Sequence, residues 1–125
     1  MASRKDMAAE AEIVAAVMVD LGGRSDLMLW RNNTGKLPDH RGRWISFGCP
    51  GSADILAVVQ NRATGLGVLV GIECKTKRGR VTVVQQAWGR RLSELGGVYV
   101  VARCAEDAVV AVDQVAGVGR GVASN

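Results

Sequence analysis

Two apolar runs rich in β-branched residues, positions 55–59 and 68–74, follow each other in the middle of the chain. A polar segment with turn-forming residues, positions 60–65, separates them. Short β-branched runs bounded by turn residues are typical of strands, and two runs this close in sequence favour an antiparallel pair. In such a pair, the start of the first strand lies beside the end of the second. The pattern therefore predicts that Asp54, just before the first run, lies next to Glu73 near the end of the second.

Three charged side chains are expected to meet at this strand end. Because side chains alternate along a strand, Glu73 and Lys75 share one face, with Gly71 leaving room beneath them. Two carboxylates are costly to hold together unless a divalent cation or catalysis requires them there. Magnesium and manganese prefer such oxygen ligands. Taken singly, Asp54 fits a turn cap and Glu73 with Lys75 an ordinary surface ion pair, but together the three favour a metal site.

The rest of the chain predicts helices and strands around this pair. Positions 6–21 have a helical period, with Val14, Val17 and Leu21 on one stripe and Gly22 as a stop signal. The other expected elements are a strand at 44–47, a helix opened by a capping box at 82–85, a strand at 98–102 and a helix at 106–115. The order α-β-β-β-α-β-α predicts an α/β fold with a mixed sheet flanked by helices. We expect one domain over 1–116 and a loose tail at 117–125.

Composition sets broad limits on the class of protein. A chain of 125 residues fits one domain. No segment approaches the ~20 apolar residues that span a bilayer, and the N-terminus lacks the features of a secretory signal. We therefore expect a cytoplasmic protein with no membrane partner. The three cysteines form no Cys-x-x-Cys pair, which argues against structural zinc and disulfides.

The charge balance indicates a polyanionic partner. The net charge is +4, and basic residues cluster at 24–43 and 75–91. A solvated basic surface is the alternative interpretation. Trp30, Trp44 and Trp88 each lie in an apolar run, so we expect them in the core and not as platforms for nucleic-acid bases.

Four ordered segments carry a resemblance to a known family. They are Trp-Arg-Asn-Asn-Thr-Gly at 30–35, Phe-Gly-Cys-Pro-Gly-Ser-Ala-Asp at 47–54, Ile-Glu-Cys-Lys at 72–75, and Gly-Arg-Val-Thr at 79–82 leading to Gln85. In this order the chain, from about residue 10 to about residue 111, resembles the VRR-NUC (virus-type replication-repair) nucleases of the PD-(D/E)xK superfamily. Ala53 stands where the superfamily name places proline. Proline there shapes only the backbone, so the metal assignment is little affected.

The resemblance implies a restriction-endonuclease-like fold and a set of site residues. Asp54 and Glu73 would bind Mg²⁺ or Mn²⁺, with the main-chain carbonyl of Cys74 as a further ligand. Lys75 would be the catalytic lysine, and Gln85 the glutamine of the following helix. Capping of that helix is the alternative role for Gln85.

A fourth metal ligand is expected from the first helix. Glu10 lies three, four and seven residues before Ile13, Val14 and Val17, so it shares their stripe, whereas Glu12 points to nearly the opposite side. The resemblance matches Glu10 to the family's N-terminal helical glutamate, with Glu12 as the alternative. A favourable helix-start charge is the other explanation for an acid at this position.

The resemblance also implies the substrate. We expect DNA phosphates to be contacted by residues on both sides of the metal site, namely Arg31, Asn33, Lys77, Arg78 and Arg80. The implied activity is that of a metal-dependent DNA endonuclease in phage or bacterial replication and repair. Stand-alone relatives are similar to Holliday junction resolvases, which favours a homodimer acting on branched DNA. The alternatives are a less selective nuclease cutting flaps, single strands or nicked duplex, and a catalytically silent DNA-binding subunit.

Overall fold

The computed structural model describes residues 3–119, which form three helices and six strands. In chain order these are α1 (Arg4–Gly22), β1 (Leu27–Arg31), β2 (Gly35–Pro38), β3 (Trp44–Phe47), β4 (Ile55–Gln60), β5 (Gly67–Cys74), α2 (Val83–Glu94), β6 (Val98–Ala102) and α3 (Ala105–Ala116). None of these helices has the length and apolar character needed to cross a bilayer. Residues 120–125 of the expected tail lie outside the described part of the chain.

Four strands form a mixed sheet in the order β1-β4-β5-β6. The β1/β4 and β4/β5 pairs are antiparallel, and β5/β6 is parallel. Strands β2 and β3 form a separate two-stranded antiparallel ribbon. The predicted α/β fold with a mixed sheet flanked by helices is therefore confirmed.

The predicted element order was wrong by two strands, because the chain reads α-β-β-β-β-β-α-β-α. The run at 27–31 is short, but it pairs with β4 along its whole length, from Leu27 opposite Val59 to Arg31 opposite Ile55. Strand β2 contains glycine and proline, which are poor strand formers, and it extends only because β3 lies beside it. Both β1 and β2 are therefore strands because of the partner strand beside them and not because of their local sequence.

The two faces of the main sheet are covered by different helices. Helices α1 and α3 cover one face, where Val70, Ile72 and Cys74 of β5 join the hydrophobic core. Helix α2 covers the other face, and its Trp88 lies over Gly71. Glu73 and Lys75 belong to this second face by strand alternation. The side of β5 that carries Glu73 and Lys75 therefore faces α2, and the apolar side faces α1 and α3.

The N-termini of α1 and α2 are each fixed by a capping box. In α1, the Ser3 side chain accepts from the Asp6 N–H, and the Asp6 carboxylate accepts from Ser3 N–H. In α2, Thr82 and Gln85 make the same reciprocal pair. Each box satisfies two backbone N–H groups that a helix leaves without internal partners, which sets where the helix begins. The N-terminal ends of α1 and α2 both approach the carboxyl end of β5.

Candidate functional site

The register of β4 and β5 places two carboxylates side by side. Ile55 pairs with Ile72, so the next position outward sets Asp54 opposite Glu73. Asp54 is held there from both sides: its Oδ2 accepts from the Cys74 backbone N–H at 2.8 Å, and its carbonyl accepts from the Asn32 N–H at 2.8 Å. The adjacency predicted from the two apolar runs is thus present in the structure.

Glu73 is buried without enough partners for its charge. Its exposed fraction is only 2%, and its Oε1 has no hydrogen-bond partner. Burial, followed by the neighbouring Asp54 carboxylate, raises the pKa of Glu73 to about 8, although the positive charge of Lys75 opposes the shift. A buried, unpartnered oxygen beside a second carboxylate is costly in an otherwise complete fold. It requires a proton or a cation.

Lys75 and Gln85 approach the same oxygen of Glu73. Lys75 Nζ lies 3.8 Å from Glu73 Oε2, and Lys75 itself is 7% exposed. Gln85 Nε2 donates to Glu73 Oε2 at 3.2 Å, while Gln85 Oε1 accepts from the Thr82 N–H at 2.9 Å. The two interpretations of Gln85 are therefore not exclusive, because one amide caps α2 and contacts the carboxylate.

Lys75, which contacts Glu73, also lines a cavity of about 370 Å³. Its lining includes acids and bases from three segments: Asp6, Glu10, Lys75, Thr76, Arg78, Gly79, Arg80 and Thr82. Of the two candidate helical acids, Glu10 lies on this cavity, and its charge also contributes to the raised pKa of Glu73. Glu12 is exposed elsewhere on α1. The apolar stripe of the helix likewise favours Glu10 over Glu12 as the acid that faces the site.

The three acids do not, however, converge as a complete ligand set. Within residues 3–119, no three His, Cys, Asp or Glu side chains are grouped so that they could hold a metal ion. Glu10 stands on the cavity wall, apart from the Asp54–Glu73 pair. Its role as a ligand stays a prediction, and the pair is the part of the set that the fold assembles.

The pair fits a hard divalent cation on chemical grounds. Its donors are carboxylate oxygens, the ligand type that Mg²⁺ and Mn²⁺ prefer, and Glu73 Oε1 is without a partner. The thiol of Cys74 contributes nothing here, since it is buried in the apolar core and burial raises its pKa to about 12. Only the main chain of Cys74 is available to the site.

The basic residues expected to contact DNA are divided between two places. Arg78 and Arg80 line the cavity, whereas Lys77, between them and β5, is exposed away from it. Arg31 and Asn33 are exposed near the end of β1, on the far side of the carboxylates. Arg31 is close enough for its charge to act on Cys74. The structure thus brings two of the five to the cavity and leaves three on its surroundings.

Arg103 is a residue of this region that sequence reasoning missed. Its Nη1 donates to three carbonyls of the basic loop after β5: Thr76 at 2.6 Å, Gly79 at 2.7 Å and Lys77 at 3.3 Å. A signal did exist, because a strand parallel to β5 must end beside it. Since Cys74 pairs with Ala102, the next residue along β6 falls next to the loop.

Asn32 is the second missed residue, and it fixes the turn before Asp54. Its Nδ2 donates to Ser52 Oγ at 2.7 Å and to the Ala53 carbonyl at 2.9 Å. The turn also requires Gly51, whose φ is +79° and where an added Cβ would lie 2.5 Å from the Val84 carbonyl oxygen. Asn32 lies in an Asn-Asn pair, a turn signal, but nothing local shows what its side chain contacts.

The expectation that all three tryptophans lie in the core was wrong. Trp88 packs over Gly71 and makes an edge contact with Tyr99, with ring centroids 5.9 Å apart. Trp44, in contrast, is 70% exposed on β3, and Trp30 is 39% exposed on β1. An apolar run buries its side chains only when another layer covers it, and nothing within residues 3–119 covers the ribbon.

The site therefore combines a carboxylate pair, an amide and an ammonium, and the ammonium also lines a cavity with two arginines on its wall. Such an arrangement can hold a hard cation and an anionic group next to each other. No protein-family model matches the chain, and neither a curated protein nor a solved structure is significantly similar to it.

Proposed function

We propose that this protein is a metal-dependent DNA endonuclease, with Asp54, Glu73, Lys75 and Gln85 at its active site. One observation carries the proposal: Glu73 is 2% exposed, stands opposite Asp54, and keeps Oε1 without a partner. In a structural ion pair both charged groups have partners, whereas Glu73 Oε1 gains a partner only when a proton or a cation is added. Membership of the VRR-NUC nucleases and a restriction-endonuclease-like strand arrangement belong to the same proposal.

Asp54 and Glu73, with the main-chain carbonyl of Cys74, would hold Mg²⁺ or Mn²⁺. When bound, such a cation supplies neutralising charge to the carboxylates and Lewis-acid activation for phosphodiester hydrolysis. Glu10, on the cavity wall, is the candidate for a further ligand. The raised pKa of Glu73 is consistent with this assignment, because the two neighbouring carboxylates need positive charge and a bound cation would supply it.

The protein's own residues do the remaining work. Lys75, 7% exposed, presents its Nζ beside the carboxylates, where it can donate to a phosphate oxygen or orient a water molecule. Gln85 holds the Glu73 carboxylate in one orientation through a 3.2 Å hydrogen bond. Because Gln85 is itself fixed by Thr82, this orientation is set before any substrate arrives.

The substrate is proposed from charge and resemblance together. Arg78 and Arg80 on the cavity wall, in a chain of net charge +4, suit the phosphates of a nucleic acid. Branched DNA and a homodimer, in which two active sites make paired cuts, follow from the resemblance to junction resolvases. The proposed setting is replication and repair in a bacterial or phage-infected cytoplasm.

A cleavage assay tests the activity. Matched junction, flap, nicked, single-stranded and linear DNA are incubated with the protein in magnesium, manganese or chelator. We expect cleavage only with a cation and a preference for the junction. Asp54→Asn, Glu73→Gln and Lys75→Ala should each lower the rate by more than about 100-fold, above the usual cost of losing a hydrogen-bond partner of a metal ligand.

Two controls make the assay specific. Glu12→Gln changes an exposed acid on the same helix as Glu10 and should leave the rate unchanged, whereas Glu10→Gln should lower it. Cleavage that persists in Asp54→Asn or Glu73→Gln would show that the site assignment is wrong. Wild type that binds DNA and never cuts would support a silent DNA-binding subunit, and light scattering showing a strict monomer at assay concentration would contradict the homodimer.

A further inference from the structure

The ribbon formed by β2 and β3, residues 35–47, is an exposed feature that the proposed site does not use. All four positions of β3 are exposed, as are three of the four in β2. Its large apolar side chains are uncovered, with Trp44 at 70% and Leu37 at 61%. Apolar groups this exposed on a two-stranded ribbon mark an interaction surface.

The ribbon is anchored at the edge of the sheet that carries the carboxylate pair. It is inserted between β1 and β4, the two strands that end and begin at this edge of the sheet. Its base is packed tightly: a Cβ at Gly48 would lie 2.7 Å from the Asn33 carbonyl oxygen and 2.8 Å from the Thr34 methyl group. Asn32, next to that base, binds the turn that carries Asp54. A molecule in contact with the ribbon is therefore at the same edge of the sheet as the site.

The two faces of the ribbon differ in chemistry. The register sets Lys36 opposite Ser46 and Pro38 opposite Trp44, so one face combines a cation with an aromatic ring. The other face carries Leu37 opposite Ile45. A basic residue next to an exposed aromatic is the combination with which proteins bind phosphates and stack unpaired bases.

The charge of the ribbon is suited to a polyanion. Residues 35–47 contain Lys36, Arg41 and Arg43 and a single acid, Asp39. Asp39 Oδ2 is paired with Arg43 Nε at 2.9 Å, and its Oδ1 accepts from the backbone N–H groups of residues 41 and 43, each at 2.8 Å. The acid therefore organises the tip of the ribbon and leaves it net positive. A second copy of the same ribbon would bring like charges together.

We propose that the ribbon binds the unpaired or unstacked nucleotides at a branch in DNA, with a base stacked on Trp44 and phosphates on Lys36 and Arg41. This inference rests on the proposed nuclease function and adds the element that selects branched over linear substrate. A two-stranded ribbon is thin enough to enter DNA where its strands separate, and the face that carries Leu37 opposite Ile45 would then lie against the neighbouring bases.

Binding measurements on variants test the inference. Fluorescence anisotropy is recorded in magnesium, in a Glu73→Gln background, with a junction, a single strand and a linear duplex. Trp44→Ala should weaken binding to the junction and single strand by at least about fivefold, the lower end of what one stacked base contributes. Binding to linear duplex should change by less than about twofold, because its bases stay stacked. Trp44→Phe keeps an aromatic face and should restore most of the affinity.

Lys36→Ala provides a second, independent variant, since Lys36 is exposed and its removal leaves the fold intact. It should reduce the slope of log affinity against log salt by about one phosphate contact. The matched control is Arg62→Ala, at the opposite end of the sheet between β4 and β5, which should leave the slope unchanged. Equal loss on all three DNAs in Trp44→Ala, or no loss in either variant, overturns the inference.

Two further outcomes separate the failure of this inference from that of the proposed function. If wild type cuts DNA and Trp44→Ala cuts junction and duplex in the wild-type ratio, the ribbon does not select the substrate but the nuclease stands. If light scattering shows that Trp44→Ala converts a dimer to a monomer, the ribbon binds a second copy and the inference is overturned. Wild type that neither binds nor cuts DNA contradicts both.

Discussion

At the scale of single residues, the Glu73 charge that the proposed function requires also lowers the stability of the fold. Its carboxylate is buried beside Asp54 with one oxygen unpartnered, an arrangement that weakens the fold when no cation is present. An amide of the same shape removes the charge and offers an N–H to the Asp54 carboxylate. Residues kept in unfavourable surroundings are typical of active sites, where activity and stability compete.

Glu73→Gln is therefore expected to abolish cleavage and, without metal, to raise the melting temperature at pH 8. Thermal unfolding in chelator measures this directly, with Glu12→Gln as the control on an exposed acid. A lower melting temperature in Glu73→Gln would show that the carboxylate is satisfied in the folded protein.

We expect Arg103 to position the loop after β5 and to take no direct part in the proposed cleavage reaction. Its guanidinium binds three carbonyls of the segment that carries Arg78 and Arg80. Arg103→Ala should weaken DNA binding, seen as a higher KM, by about 10-fold with kcat changed less, because the loss of these three charge-assisted hydrogen bonds releases the loop. Arg103→Lys retains the charge without the fork of donors, so it should recover only part of the affinity.

A steady-state comparison of Arg103→Ala with Arg91→Ala makes the test specific. Arg91 is an exposed arginine on α2, and its side chain pairs with Glu94 at 3.4 Å. If both variants raise KM equally, Arg103 acts through general charge and not by positioning the loop.

At the scale of elements, the fit of α2 onto β5 depends on a glycine. A Cβ at Gly71 would lie 2.7 Å from the Trp88 ring and 3.2 Å from Leu92. Gly71→Ala should therefore destabilise the fold by about 1–3 kcal/mol, the usual cost of overpacking a core. It should also lower activity, because it displaces the helix that carries Gln85.

Gly22→Ala is the matched control, since a Cβ there meets nothing within 4 Å. Urea unfolding should show it neutral or slightly stabilising. Equal stability of the two alanine variants would mean that α2 adjusts freely over β5.

The elements also show what the sequence could and could not predict. Strand alternation and the spacing of two runs placed Asp54, Glu73 and Lys75 together, since the period of a strand fixes which side chains share a face. The contacts of Asn32 and Arg103 could not be foreseen in the same way, because each depends on elements far apart in the chain. The exposure of Trp44 was missed for the same reason: an apolar run does not say whether anything packs on it.

At the scale of the whole molecule, stability should depend on pH through Glu73. Its pKa is raised from 4.5 to about 8 in the folded protein, so between these values the folded chain keeps a proton that the unfolded chain has lost. Stability from this group is fully present below pH 4.5 and is lost as the pH rises through 8. Denaturant unfolding in chelator should show this decline, and Glu73→Gln should remove it.

Added magnesium should reverse the decline. A cation that binds only the folded carboxylates stabilises that state, and it competes with the proton. The rise in melting temperature on adding Mg²⁺ should therefore be larger at pH 8 than at pH 6 and absent in Asp54→Asn. A rise that is independent of pH would place the cation elsewhere on the protein.

The shared amide of Gln85 has a consequence for the motion of the molecule. The Gln85 side chain accepts from the backbone N–H of Thr82, the N-cap of α2, and donates to Glu73. A change in what occupies the carboxylates therefore pulls on, or releases, the first turn of a helix whose other end packs on the sheet. The winding or fraying of that turn is thereby coupled to what the Asp54 and Glu73 carboxylates hold.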